Sequence, residues 1–220
     1  MRIFTALIGM FWSLSVFAAE AASPAKYLEG RDYTRLEAPV PTLDPRKIEV
    51  TEVFSYICPH CYHFEPAVEA WEKKQKPDVA FVPVHMQWND NMKAYQRGFF
   101  TAVTLKVQKK AQMAIFDAIH KDGKPLTTPE AWADVLAPYG VSKQSVISTY
   151  SSFIISDMMA KADARIRSFK ISSTPELVVD GRYVISTPNG KGEDDAHKEM
   201  LQIADFLVAQ IRAERAAKPK

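Results

Sequence analysis

The apolar residues of this chain change period at Cys58-Pro59, and that switch constrains the local topology more than any other feature. From Ile48 to Ile57 the run is dense in Ile, Val, Phe and Tyr, with Glu52 inside it, and predicts a buried strand. From Pro59 to about Lys74, Cys61, Phe64, Val68 and Trp71 recur at helical spacing. Pro59 suits the first turn of such a helix, where an N–H would have no intrahelical partner to lose. A strand therefore feeds directly into a helix, with two cysteines at the junction. Pro66 removes the hydrogen bond to the Tyr62 carbonyl and predicts a bend one turn beyond Cys61.

Beyond this unit the periods alternate again. A second short strand is expected over Val79 to Val84, and from about Asn91 to Ser168 one helical stretch follows another. Within that block Thr128-Pro129-Glu130 reads as an N-cap with a first-turn proline, and Ser142 after Gly140 as a second helix start. Strand character returns at Glu176 to Val179 and Tyr183 to Ser186, joined by Asp180-Gly181, a pair suited to a tight hairpin. A last helix is expected from about Asp194 to Ala213, with Met200, Ile203, Ala204, Leu207 and Ile211 on one face. The order is β-α-β, a helical block, then β-β-α, which is an α/β chain. Its 220 residues, 47% of them hydrophobic, suffice for one sizeable core or two small lobes sharing an interface.

The start of the chain bears on where it works. Met1-Arg2 followed by the apolar stretch Ile3 to Ala18 has the form of a secretory signal, with cleavage expected after Ala18 or Ala21, so residues 1–21 are read as a signal peptide. The stretch is short for a bilayer span. A bacterial periplasm is the expected destination. The formal net charge of +2 comes from scattered residues rather than a basic block, so no nucleic-acid partner is expected.

An exported chain ordinarily uses cysteines to staple distant segments, yet the only two here are three positions apart. A bridge across so short a loop removes little chain entropy, which makes a purely structural role weak. Thiol–disulfide exchange, in contrast, needs an attacking thiolate and a second thiol close by to resolve the mixed disulfide. With Cys58 capping the helix, its sulfur would face free N–H groups and the positive end of the helix dipole, while Cys61 would lie a turn below and be covered. His60, as imidazolium, would lower the pKa of Cys58 further and stabilise the dithiol, which makes the pair an oxidant. A zinc site would need more ligands than His63, His85, His120 and His197 supply at paired spacing, and haem attachment would need His where Tyr62 stands. No metal or organic cofactor is expected.

Together, the strand, the Cys58-Pro59-His60-Cys61 helix start, the bent helix and the segment Thr174-Pro175-Glu176-Leu177-Val178-Val179-Asp180-Gly181 make the chain resemble the DsbA-type proteins. These are the periplasmic disulfide-donating branch of the thioredoxin superfamily. The resemblance implies a thioredoxin fold in two pieces, residues 27–90 and 164–215, with an all-helical domain inserted at 91–163. It implies that Cys58 attacks, that Cys61 resolves, and that Pro59 and His60 tune the couple. It further implies a cis Thr174–Pro175 bond beside the sulfurs, with backbone turned toward substrate, and a buried Glu52 that shuttles the proton of Cys61. Thr174 stands where the family often has Val. Unfolded exported proteins would be the substrates, a membrane quinone-linked oxidase of the DsbB type the recycling partner, and a monomer the working state. The rivals are a reductase or isomerase of the same fold, a peptide-binding chaperone with dispensable cysteines, and, more remotely, a glutathione-dependent enzyme. His85 is read as structural, and Tyr95, Phe99, Phe100 and Trp132 as the core of the helical block.

Overall fold

A computed structural model describes residues 26–217. The expected signal peptide lies outside the described residues. Within them the elements run β1 (Thr34–Arg35), β2 (Ile48–Phe54), α1 (Pro59–Glu72), β3 (Val79–His85), α2 (Asp90–Thr104), α3 (Gln108–His120), α4 (Pro129–Leu136), α5 (Lys143–Tyr150), α6 (Phe153–Ser168), β4 (Glu176–Val179), β5 (Tyr183–Ile185) and α7 (Glu193–Ala217). The strands form one mixed sheet in the order β1-β5-β4-β2-β3, in which β2 pairs parallel with β3 and antiparallel with β4.

Strand β2 is buried at all seven positions, its polar Glu49, Thr51 and Glu52 as fully as the apolar residues between them. It ends at Phe54, three residues short of the expected Ile57, because Ser55 to Ile57 turn toward the helix start. Pro83 lies in β3, an edge strand, where a residue without an N–H is tolerated. The expected hairpin joins β4 and β5 through Asp180 at φ 55° and Gly181 at φ 60°. Gly181 is doubly required, since a Cβ there would stand 1.9 Å from the Val40 carbonyl oxygen. The two-residue β1 is too short to carry a pattern, and sequence reasoning missed it.

Side-chain alternation sends the sheet's two faces into two cores. Ile48, Val50, Leu177 and Val179 pack with Phe64, Val68 and Trp71 of α1 and with Met200, Ile203, Ala204 and Leu207 of α7. Val53, Val178 and Val184 belong instead to a larger cluster built with the helical block, in which Tyr95, Phe99, Phe100 and Trp132 are buried. Gly98 lets α2 and α4 close up there: an added Cβ would fall 1.8 Å from the Trp132 ring. Thr128 and Ser142 cap α4 and α5 through Ala131 N–H and Ser145 N–H, and Asn89 caps α2 through Met92 N–H. Helix α6 runs unbroken through residues 163 and 164, so the expected edge of the inserted block falls inside a helix. Its Arg165 pairs with Glu49 of β2, a buried carboxylate that also accepts from Leu43 N–H and the Thr51 hydroxyl, and so ties the block to the sheet.

Candidate active site

Cys58 is the N-cap of α1, with β-region backbone (φ −84°, ψ 116°) and Pro59 in the first turn. Its N–H donates to the Ser55 carbonyl at 3.0 Å, and its carbonyl accepts from Tyr62 N–H at 3.1 Å, so the helix opens at this residue. Both cysteines are free thiols, Cys58 partly exposed and Cys61 1% exposed in the floor below. The Thr174–Pro175 bond is cis, and the Thr174 carbonyl oxygen lies 3.4 Å from Cys58 Sγ, within reach of the thiol proton. A segment 116 residues away in sequence is thus placed against the reactive sulfur.

The two sulfurs titrate in opposite directions. Cys58 is lowered to about 5, first by hydrogen bonding from the Cys61 thiol, then by the Thr174 side chain and the backbone N–H groups of Cys61 and His60, against the opposing push of burial. Cys61 is raised well above the ordinary thiol value, first by burial, then by the hydrogen bond to Cys58 and the charges of Cys58 and Glu52. The His60 imidazolium is expected to lower Cys58 further. The largest contributions come from neighbouring donors, whereas the His60 ring is exposed and turns its Nδ1 to Glu193 of α7, 2.7 Å away. The thiolate does raise His60 in return, so the two charges remain linked.

Beneath Cys61 the floor is lined by buried acids. Glu52 is 1% exposed, and its Oε2 has no hydrogen-bond partner among the described residues. Burial pushes its carboxyl well above the usual range, with Glu65 and Cys58 adding to the shift. Glu65, one turn along α1 from Cys61, is raised to about 7 by burial. It accepts from the Gln112 amide at 3.0 Å, and Gln112 in turn accepts from the Tyr56 hydroxyl at 2.7 Å. Glu65 and Gln112 also line a cavity of about 280 Å³ between α1, α3 and β3. Sequence reasoning found Glu52 but missed Glu65, Gln112 and Tyr56.

The loop between β2 and Cys58 is held by two histidines. Tyr56 N–H donates to His85 Nε2 at 3.0 Å, while His120 Nε2–H of α3 donates to the Tyr56 carbonyl at 2.8 Å. His85 is fully buried, and burial lowers its pKa to about 3, which suits its role as a neutral acceptor in the interior. His120 also stacks flat on Tyr62, ring centroids 4.8 Å apart. No group of three or more His, Cys, Asp or Glu among the described residues is arranged to hold a metal ion.

The DSBA-like thioredoxin domain family matches residues 49–198. The thiol:disulfide interchange protein DsbA of Azotobacter vinelandii is 40% identical over 195 residues, 89% of either chain. Its namesake from Pseudomonas aeruginosa is 38% identical over 211 residues, 96% of either chain. The crystal structure of Pseudomonas aeruginosa DsbA superposes with a TM-score of 0.79 at 38% identity, covering 86% of this chain and 97% of that one. That of the oxidoreductase DsbA from Xylella fastidiosa does so with a TM-score of 0.78 at 30% identity, covering 85% and 98%. The chain has the thioredoxin-like fold with a helical insertion, its redox group is its own pair of cysteines rather than a bound cofactor, and it belongs to the DsbA family of thiol:disulfide oxidoreductases.

Proposed function

We propose that the chain works in the periplasm as a disulfide donor to newly exported, unfolded proteins. The observation that carries this is the placement of two cysteines three residues apart, Cys58 partly exposed at the open end of α1 beside Thr174 and Cys61 buried a turn below. A Cys58 pKa of about 5 leaves that sulfur as thiolate at neutral pH, a charge found only in the reduced form. Relative to a thiol of ordinary pKa, two units of ionisation at pH 7 stabilise the dithiol state by ~3 kcal/mol, or ~60 mV for a two-electron couple. The stabilisation is present above the lowered pKa and lost as pH falls through about 5. Favouring the dithiol makes the disulfide form an oxidant.

In the proposed cycle a substrate thiolate attacks Cys58 Sγ of the Cys58–Cys61 disulfide. The S–S bond breaks, Cys61 leaves as thiolate and takes the proton of neutral Glu52, which suits a buried acid and a thiol that are both raised. A second substrate thiolate then attacks the substrate's own sulfur in the mixed disulfide and expels Cys58, a good leaving group at its low pKa. Two electrons pass from substrate to enzyme, leaving a substrate disulfide and the enzyme dithiol. Thr174 and Pro175 would present backbone to an extended substrate segment, and Pro59 and His60 would tune the couple. A membrane quinone-linked partner of the DsbB type would restore the disulfide, and the chain would act as a monomer. The division into thioredoxin-like pieces at 27–90 and 164–215, with the helical block at 91–163, is part of the same reading.

The test is the equilibrium of the Cys58/Cys61 couple against a glutathione buffer at pH 7. An oxidising couple, well above that of thioredoxin, is expected; one as reducing as thioredoxin overturns donation in favour of a reductase.

A further inference from the structure

The rim of the site carries a contact that joins two helices far apart in sequence. Helix α7 opens at Glu193, and its carboxylate reaches back to α1, with Oε1 2.7 Å from His60 Nδ1 and Oε2 3.1 Å from His63 Nδ1. His60 and His63 are three residues apart on α1 and therefore neighbours on its surface, so a single carboxylate bridges both rings. Asp194 and Asp195 complete the acidic first turn of α7, where negative charge is favoured by the helix dipole. Glu193 differs from them in having both oxygens committed to imidazoles.

We propose that Glu193 is a positioning residue for the redox pair: it anchors the His60 ring at the mouth of the dithiol and supplies its counter-ion there, so that the driving force for disulfide donation varies less with pH. The proposal rests on the reading of Cys58 as the attacking thiolate of a disulfide donor. The bond to Glu193 is the first cause that raises His60 above the ordinary imidazole value, and the charge of Cys58 adds to it. Glu193 is lowered for the reciprocal reason, by His60 first and by His63 as well. The other titratable groups around this contact are Cys58 and His63 on α1 and Asp194 and His197 on α7. His197 is buried and lowered by that burial, so it stays neutral and adds no competing positive charge near pH 7.

The sign of the effect depends on pH. With the carboxylate removed, the His60 ring loses the partner that most favours its proton, so on the alkaline side the thiolate loses a positive neighbour. At pH 5.5 the ring keeps its proton without a counter-ion, and the thiolate gains. The His60 side chain is 67% exposed, so the pair adds little to fold stability, and its effect is to be read at the sulfur.

The experiment compares the full mature chain with Glu193→Gln by glutathione equilibrium from pH 5.5 to 8.5 and by histidine ring NMR. The His60 resonance in Glu193→Gln is expected to titrate at lower pH than in the wild type. The equilibrium constant for oxidising glutathione should fall about threefold at pH 8 and rise by a similar factor at pH 5.5, so the two curves cross. In a His60→Ala background, Glu193→Gln should leave the glutathione equilibrium unchanged across the pH range. A lower melting temperature with unchanged His60 titration and unchanged curves would make Glu193 a helix-end acid only and overturn the proposal. A wild-type couple as reducing as thioredoxin would sink the donor reading instead, while the His60 titration would still report on Glu193.

Discussion

The sulfur of Cys58 and the sulfur of Cys61 sit three residues apart in one helix and experience opposite surroundings. Above, the open end of α1 gathers hydrogen-bond donors and a neighbouring thiol around Cys58 and lowers it to about 5. Below, burial and the charges of Cys58 and Glu52 hold Cys61 as a neutral thiol far up the scale. The difference shows that a helix start can divide one dithiol into a good leaving group and a proton acceptor, provided that the turn between them crosses from the surface into the core. The sharpest way to break this division is to remove each sulfur separately. Cys58→Ser should abolish oxidation of a dithiol peptide, whereas Cys61→Ser should retain a reactive Cys58 that accumulates mixed disulfides without completing a turnover. Trapping by Cys61 in a Cys58→Ser protein, seen by mass spectrometry after incubation with an activated disulfide, would reverse the assigned roles.

The lower half of the comparison turns on the two carboxyls. Glu52→Gln removes the proton that the departing Cys61 would take, and the first exchange step of the oxidised protein, followed by stopped flow, should slow by about tenfold or more at pH 7. Cys58, whose lowering comes first from Cys61 and then from Thr174, should keep a pKa near 5. An unchanged rate would remove Glu52 from the proton path.

Glu65 offers a thermodynamic test of the same buried floor. Its folded value of about 7 exceeds the ordinary carboxyl value, so the native state binds that proton more tightly than the unfolded chain does. Stability is therefore lost as pH rises from about 4.5 through about 7, and Glu65→Gln should recover it. Denaturant titration should show the variant little changed at pH 4 and more stable by about 3 kcal/mol at pH 8. A constant difference across that range would mean that the carboxyl is not raised.

Much of the upper half was legible in the sequence, and much of the lower half was not. The change of period at Cys58-Pro59, the caps at Thr128 and Ser142 and the Asp180-Gly181 turn are local signals, since each depends on residues within a few positions. Thr174-Pro175 was placed only by resemblance, because nothing local ties it to a sulfur 116 residues away. Glu65 and Gln112 read as ordinary helix residues and Tyr56 as part of an apolar run, and their meaning appears only when α3 packs against α1. A glutamate after Phe64 on a helix with a buried face was the one available hint. Glu193 had even less, as one of three acids expected at any helix start. The expected edge of the helical block between 163 and 164 falls inside α6, whose period carries no mark of it.

The smallest expected effect concerns what keeps the two halves apart. The loop from Ser55 to Ile57 is held from the sheet by His85 and from the inserted block by His120, with the Tyr56 hydroxyl held by Gln112. Tyr56 thus has every polar group bound, and the Cys58 N–H, which donates to Ser55, depends on that order. His120→Ala deletes the donor to the Tyr56 carbonyl and the ring stacked on Tyr62. The expected cost is about 1 kcal/mol of stability, since water can reach part of the vacated position. The more telling readout is hydrogen exchange at the Cys58 amide, which should quicken severalfold while the Cys58 pKa stays within about half a unit, because the donors at its sulfur come from α1 and Thr174. Unchanged exchange would mean that the sheet alone holds the loop; a large pKa rise would mean that the helical block acts on the sulfur itself, and the division between the two cysteines would then depend on a helix outside the dithiol motif.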